Sequence, residues 1–468
     1  DYKNYIFGLL FLKLLSYVFD DDGEMIERET GYKKLAWKTP DEHEFHVPDK
    51  AHWKYLKTKT QNLGEMLNIA NEALEEKNVG KLEGVLSATD FNDKDRLPDE
   101  ILAKLIAHFS KISLRNKDLS DPDILGRAYE FLIAQFADDA GKKGGEFYTP
   151  KEVVKLLVEL LDPHEKMRIC DPACGSGGML IQSVYHLREN KQNWKNVSLY
   201  GQERNIGTWA ICKMNMLLHG ITVTLEKGDT LRKPKLLTGK GKLTEFDIVI
   251  ANPPFSLKNW GYEEAEHDPY RRFRFGIPPK GYGDYAFVQH MISTLNPTGQ
   301  AGIVLPHGAL FRGGAEGRIR QGILEEDLVE GVIGLPTNLF YGTGIPACLL
   351  LLNRKKSKER RGKVFFLYGA NDYLEGKNQN KLREQDIAKI VNVYHGYKTI
   401  EKYCRPVSLD EIRSNDYNLN IARFVDITEE EDQVDVQGVI NELKILKKER
   451  NKTESKMNQF LKELGYKV

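Results

Sequence analysis

The chain has 468 residues, 41% of them hydrophobic, enough for one large core with smaller domains attached. Lys plus Arg (68) equals Asp plus Glu (68), so the chain lacks an overall positive field, and any contact with a polyanion must use local patches or a partner. Its five cysteines are scattered and include no CxxC pair, which argues against a structural zinc site or a disulfide framework and fits a reducing, cytoplasmic setting.

In chain order, the apolar opening YIFGLLFLKLLSYVF carries Lys13 and Ser16, is too short to span a bilayer and lacks a cleavage pattern, so it reads as a buried helix with no membrane role. Apolar spacings of three and four in ILAKLIAHF and ILGRAYEFLIAQFA, the latter after the start signal Asp121-Pro122, make residues 1–140 an α-helical domain. From residue 141 to about 400 the pattern becomes α/β. Strands are expected at MRIC (167–170), SLYG (198–201), VTLE (223–226), FDIVIA (246–251), AGIVL (301–305), EGVIGL (330–335) and ACLLLL (347–352), with amphipathic helices such as TWAICKMNMLLHG and YAFVQHMISTL between them. The last two are joined by a stretch without helical period, which predicts a seven-stranded sheet with its final pair antiparallel. The run RKKSKERRGK reads as a solvated loop. Residues 401–468 form a linker and a long charged helix on which Val439, Leu443, Leu446, Thr453, Met457, Phe460 and Leu464 recur at alternating three and four spacing, broken by Arg450. This suits either a surface helix or a partner-binding coiled-coil segment.

Five short motifs carry the chemistry. GEFYTPKEVV (145–154) can start a helix, with Thr149 as cap and Pro150 at its first position. Capping alone explains the motif, but Phe147 and Tyr148 can also cover the methionine end of a cofactor, whose carboxylate the helix N-terminus can hold. DPACGSGG (171–178) follows a strand and opens a helix, a tight turn where backbone approaches a ligand closely. It departs from the dinucleotide fingerprint, since Leu180 replaces the third glycine and Asp171 repels a pyrophosphate, so a cationic, phosphate-free ligand fits better. GQE places Glu203 at a strand's carboxyl edge, where it can accept from ribose hydroxyls or simply start a helix near Asn205. GDT supplies Asp229, a turn residue or an acceptor for an adenine amino group. FDIVIANPPF is the strongest signal. Two prolines stiffen the backbone after Asn252 and remove two donors, leaving the Asn252 side-chain oxygen and the Pro253 carbonyl as acceptors for an amino group, with Phe255 as a stacking face worth about 1 to 3 kcal/mol.

The order and spacing of GEFYTP, DPACGSGG, GQE, GDT and NPPF resemble the motifs of adenine-specific amino-methyltransferases. GQERNIGTWAICKMNMLLHG, LPHGALFRGGAEGRIR and GLPTNLFYGTGIPACLLLLNR resemble segments of the modification subunits of type I restriction–modification systems. The resemblance covers most of residues 145–353, and the helical front domain is similar too.

It implies an S-adenosylmethionine-dependent methyltransferase sheet flanked by an N-terminal helical domain and a C-terminal helical extension. The implied activity is methyl transfer to adenine N6 in DNA, by two copies acting with one specificity subunit and, in the full complex, a restriction subunit. Carried over, the cofactor contacts are Glu146, Phe147, Tyr148, Thr149, Pro150, Lys151, Ser176, Gly177, Gly178 and Glu203, with Asp171 and Asp229 as further matches; the catalytic tetrad is Asn252, Pro253, Pro254 and Phe255. Glu146 and Gly178-Met179 depart from the commonest spelling. The expected mechanism is direct attack of N6 on the sulfonium methyl, without a covalent enzyme intermediate or a metal. In YRRFRFG, the residues Arg271, Arg272, Phe273 and Arg274 form a candidate DNA contact, with Lys233, Lys235, Lys240 and Lys242 as a second; a solvated loop is the other reading of both.

Competing readings stay open. Transfer to cytosine N4, or to a glutamine amide of a protein, uses similar residues, and an inactive assembly scaffold needs none. Cytosine C5 chemistry fits poorly because no cysteine follows a proline, and no GxxxxGK[ST] loop supports a helicase.

Overall fold

A computed structural model describes residues 2–115, 118, 124–141, 149–340, 344–377, 379–427 and 436–466. Glu146, Phe147 and Tyr148, like Asp121-Pro122, lie outside the described residues. The chain divides into two compact units, residues 1–425 and 426–468.

The first unit begins with helices Tyr2–Thr30, Leu63–Lys77, Asp99–Ser110 and Ile124–Gly141. Phe7, Phe11, Leu12, Leu67 and Phe91 make their shared core, which also takes in Trp209, Ile211 and Met214 of the helix Ile206–Leu218. The helical front part is thus packed directly on a helix of the sheet domain, and the opening apolar run is buried as its composition predicts.

The sheet has nine strands: β1 Arg168–Asp171, β2 Ser198–Glu203, β3 Val223–Lys227, β4 Phe246–Ala251, β5 Leu295–Pro306, β6 Val329–Gly334, β7 Ala347–Asn353, β8 Lys363–Tyr368 and β9 Cys404–Ser408. Their order is β3-β2-β1-β4-β5-β7-β6-β8-β9. The run from β3 to β5 is parallel, while β7 lies antiparallel to both β5 and β6. All seven expected strands are present, including the antiparallel β7, in a methyltransferase arrangement. Apart from Asp247, FDIVIA is apolar because both faces are covered: Val249 and Ala251 face one core and Ile248 and Ile250 the other.

The count of seven is corrected to nine. β8 pairs with β6, and β9 pairs with β8. KVFFLY was hidden behind the charged run, and CRPVS is short and contains Pro406, which supplies no N–H to a ladder and suits an edge. The sheet therefore continues past residue 400. The charged run is also not simply solvated. Lys356 is 4% exposed and donates to Asp327 Oδ1 at 2.6 Å and to the Lys363 carbonyl at 2.9 Å, and the Arg360 guanidinium lies on the rings of Tyr394 and Tyr397.

The second unit contains the helix Val436–Glu463. By itself it leaves Leu443, Leu446, Met457 and Phe460 at least half exposed, an apolar stripe along a charged helix.

Candidate active site

β1 is the strand from which the order reverses, with β2 on one side and β4 on the other. The carboxyl ends of such a pair form a crevice where open α/β sheets bind ligands. DPACGSGG leaves β1 and NPPF leaves β4, so this topology brings together two motifs about eighty residues apart in sequence. Between them is a cavity of about 980 Å³. Thr149, Lys151, Asp171, Ser176, Gly178, Glu203, Asp229, Asn252 and Pro254 all line it.

Gly177, Pro253 and Phe255 adjoin residues that line the cavity. Gly177 has φ +86, and a Cβ there would meet the Met216 side chain at 2.4 Å, so glycine is what seats the turn on the helix Ile206–Leu218. At Gly175 (φ +53) and Gly178 a Cβ would meet nothing within 4 Å, leaving backbone open toward the cavity. Pro253 is buried. Phe255 is half-buried, its ring edge-to-face with Phe340 at 5.8 Å between centroids.

The first motif needs a correction. Pro150 is itself the N-cap residue of the helix Lys151–Leu161, and no side-chain cap is made. The Thr149 hydroxyl instead accepts from Asn252 Nδ2 at 2.7 Å. That bond anchors the amide at its nitrogen, and the other end, Asn252 Oδ1, is buried without a hydrogen-bond partner among the described residues. A buried, unpaired acceptor is costly, and in a cavity it marks the place for a donor from a ligand.

The carboxylates differ from one another. Glu203 accepts from the Gly175 N–H at 3.0 Å through Oε2 and from the Asn205 N–H at 2.7 Å through Oε1, which fixes its orientation. Asp229 Oδ1 accepts from the Leu231 and Arg232 N–H groups at 3.0 and 3.1 Å, the turn role anticipated for it, while the residue still lines the cavity. Asp171 is 2% exposed and accepts from the Ala173 N–H at 3.0 Å. Burial pushes its carboxyl up to about 8, and the nearby Glu203 charge adds to the rise. This environment favours a cation over a phosphate.

The arginine loop is corrected most. Arg272 is 3% exposed: it pairs with Asp268 (Nη2 to Oδ1, 2.7 Å) and donates to the carbonyls of Thr230 at 3.0 Å and Leu231 at 2.6 Å. It holds the GDT turn from beneath and has no face left for DNA. Phe273 packs against Trp260 and the core, and Arg274 pairs with Glu326. Of the four, only Arg271 is both exposed and without such an engagement among the described residues. Sequence reasoning missed the cavity's outer wall, where Lys3, Phe7, Arg127 and Phe131 of the helical front part contribute. Their helical period signals only packing. Among the described residues no group of His, Cys, Asp or Glu is arranged to hold a metal, and no helix is long and apolar enough to cross a membrane.

The fold and the crevice define a methyltransferase. Comparison with known proteins agrees: the family model described as N-6 DNA Methylase matches residues 120–433, and the HsdM N-terminal domain matches residues 1–109. The chain is 37% identical over 412 residues to the type I restriction enzyme MjaVII methylase subunit of Methanocaldococcus jannaschii, covering 85% of this chain and 69% of that one. It is 36% identical to the HindI methylase subunit of Haemophilus influenzae, over 80% of this chain and 85% of that one. Among solved structures, the type I restriction-modification system methyltransferase subunit from Streptococcus thermophilus superposes with a TM-score of 0.79 at 32% identity, covering 92% and 95% of the two chains. The chain belongs to the N-6 DNA methylase family, as a type I restriction–modification methyltransferase subunit.

Proposed function

We propose that the chain transfers a methyl group from S-adenosylmethionine to adenine N6 in DNA, with DNA selected by a separate specificity subunit that holds two copies of it, and with a restriction subunit joining in the full complex. The observation that carries this reading is Asn252 Oδ1, buried beside an open glycine turn and without a partner among the described residues.

The residues present fit the cofactor. Glu203 has acceptors for two ribose hydroxyls, Asp229 an acceptor for the adenine amino group, and the N-terminal end of the helix Lys151–Leu161, with Thr149 and Lys151 on the cavity wall, suits a carboxylate. The buried Asp171 carboxyl gains its charge most readily beside a cation. Bound there, the cofactor supplies a methyl group on a positively charged sulfur.

The acceptor side is the chain's own work. The N6 lone pair of adenine is delocalised into the ring, so the amino group is a poor nucleophile until acceptors draw its protons. Asn252 Oδ1, anchored by Thr149, and the Pro253 carbonyl accept hydrogen bonds from the amino group, which releases one proton to solvent once methylated; Phe255, braced by Phe340, offers a stacking face to a base removed from the duplex. The extruded base costs a few kcal/mol in lost pairing and stacking, offset by phosphate contacts of the assembled complex. Arg271 is the remaining candidate of its loop for such a contact. The exposed stripe on the helix Val436–Glu463 is assigned to assembly with the specificity subunit.

The test is calorimetry of cofactor binding on the full chain, followed by methyl transfer to DNA with and without the specificity subunit. Binding alone, with N6-methyladenine formed only when the partner is added, is expected. Transfer to a protein glutamine, to cytosine, or absence of binding overturns the proposal.

A further inference from the structure

The helix Asp284–Ser293 follows the loop after NPPF, and its residues 284–292 are all buried. An aspartate opening such a helix calls for a partner, and Asp284, 1% exposed, has two. Its Oδ1 accepts from the Ser256 N–H at 2.8 Å, the first backbone donor after the acceptor tetrad. Ser256 has φ +50, a left-handed conformation that a side chain disfavours, so something must hold it. A second bond runs the other way, from the Gly283 N–H to the Leu257 carbonyl at 3.1 Å. Residues 256 and 257 are thereby fastened to the start of this helix.

The other Asp284 oxygen accepts from Arg312 Nη2. Arg312 comes from the turn after β5, at the same carboxyl edge of the sheet. It also pairs with Glu316, which is 1% exposed, and its guanidinium lies 4.5 Å from the Tyr282 ring centroid. Arg320, 3% exposed, donates to the carbonyls of Ala309 at 3.2 Å and Arg312 at 3.0 Å, holding that turn in place. Two acids and Arg320 are therefore buried, with Arg312 half-buried beside them, beneath two loops of the catalytic edge. Such clusters stabilise a fold no better than apolar packing of the same volume, but they fix geometry. Geometry is what the neighbouring turn needs, since an acceptor must be held within about 0.5 Å of its productive position.

We propose that Asp284 is a positioning residue for methyl transfer: it locks the backbone just after Asn252–Phe255 and, through Arg312, ties the acceptor turn to the loop following β5. This rests on the functional reading above. It also gives the segments GDYAF and LFRGG a task beyond packing.

The experiment uses the full chain, with and without the specificity subunit, and compares wild type with Asp284→Ala and Asp284→Asn. Asparagine keeps an acceptor for the Ser256 N–H but loses the ion pair, and it is the variant to read if alanine does not fold. Expected for alanine is a fall in kcat on the order of a hundredfold, with cofactor Kd and the KM for DNA within about threefold of wild type, and partial rescue by asparagine. Amide hydrogen exchange on the full chain gives a second readout independent of activity, in which the Ser256 amide loses about tenfold or more of its protection in the alanine variant. Unchanged kcat and exchange, or a parallel loss of kcat, cofactor affinity and thermal stability in both variants, overturns the proposal. If wild type methylates no DNA, the functional reading fails, and the exchange result still decides whether Asp284 locks the turn.

Discussion

Replacing Thr149 by Val removes one hydroxyl and keeps the shape of the side chain. In the wild type that hydroxyl accepts from Asn252 Nδ2 at 2.7 Å and anchors the amide, with Oδ1 as its other end. A hydrogen bond of this kind contributes about 0.5–1.5 kcal/mol net. Without it the amide loses its anchor, and Oδ1 is no longer held where it can accept a hydrogen bond from an amino group. At about 1.4 kcal/mol per factor of ten, kcat should fall roughly two- to tenfold. Asn252→Ala removes the acceptor altogether and should cost on the order of 10² to 10³, the usual loss when one aligned hydrogen-bonding group is deleted from a reacting centre. The assay is single-turnover methyl transfer to a duplex oligonucleotide by the complex with the specificity subunit, with cofactor Kd measured by calorimetry on the same preparations. Thr149→Ser should retain wild-type kcat. Wild-type rates in the valine variant, or a serine variant as slow as valine, refute the reasoning; a rise in cofactor Kd matching the fall in kcat shows Thr149 acting on the cofactor instead.

Asp171, raised by burial to about 8 against an ordinary 3.8, holds a proton in the folded chain that the unfolded chain has released between those values, so its contribution to stability falls as pH rises across that window. Thermal melts of Asp171→Asn should show a flatter pH dependence there. Cofactor affinity of the wild type should rise with pH and level off above about 8, with proton release near pH 7 visible as a buffer-dependent binding enthalpy; a buffer-independent enthalpy contradicts this. Arg272→Ala leaves Asp268, 4% exposed, as a buried unpaired charge and should destabilise the chain by about 3–5 kcal/mol in chemical denaturation, whereas Arg271→Ala should shift stability by less than about 0.5 kcal/mol. Deleting residues 436–468 should leave cofactor affinity intact and abolish co-elution with the specificity subunit; retained co-elution assigns assembly elsewhere.

The sheet was legible because apolar runs of strand length are hard to mistake when both faces are covered. FDIVIA, flanked by two cores, matches its strand to the residue. β8 was not, because a charged run before KVFFLY looks like the end of a domain, and only the structure shows Lys356 and Arg360 folded inward. The loops of the crevice were readable from Asn, Pro and Gly, whose backbone requirements are local. Partnerships across the fold were not: nothing in the sequence joins Thr149 to Asn252, and an arginine locked on a buried aspartate reads like one free for DNA. Asp284 did leave a signal, an acid opening an otherwise uncharged helix whose first nine residues turn out to be buried.

The two strands beyond the expected seven bear on how the border of the sheet is protected. Ending at β6, the sheet would offer a row of unmatched backbone groups, VEGVIG, as a template for a strand from another molecule. β8 occupies that row. β9 then closes the series with five residues, Pro406 among them, and runs straight into the helix Leu409–Ser414. At the opposite margin β3 is equally brief and carries Glu226 and Lys227. Neither border of the sheet can recruit further strands easily, so strand addition from another molecule is disfavoured at both margins.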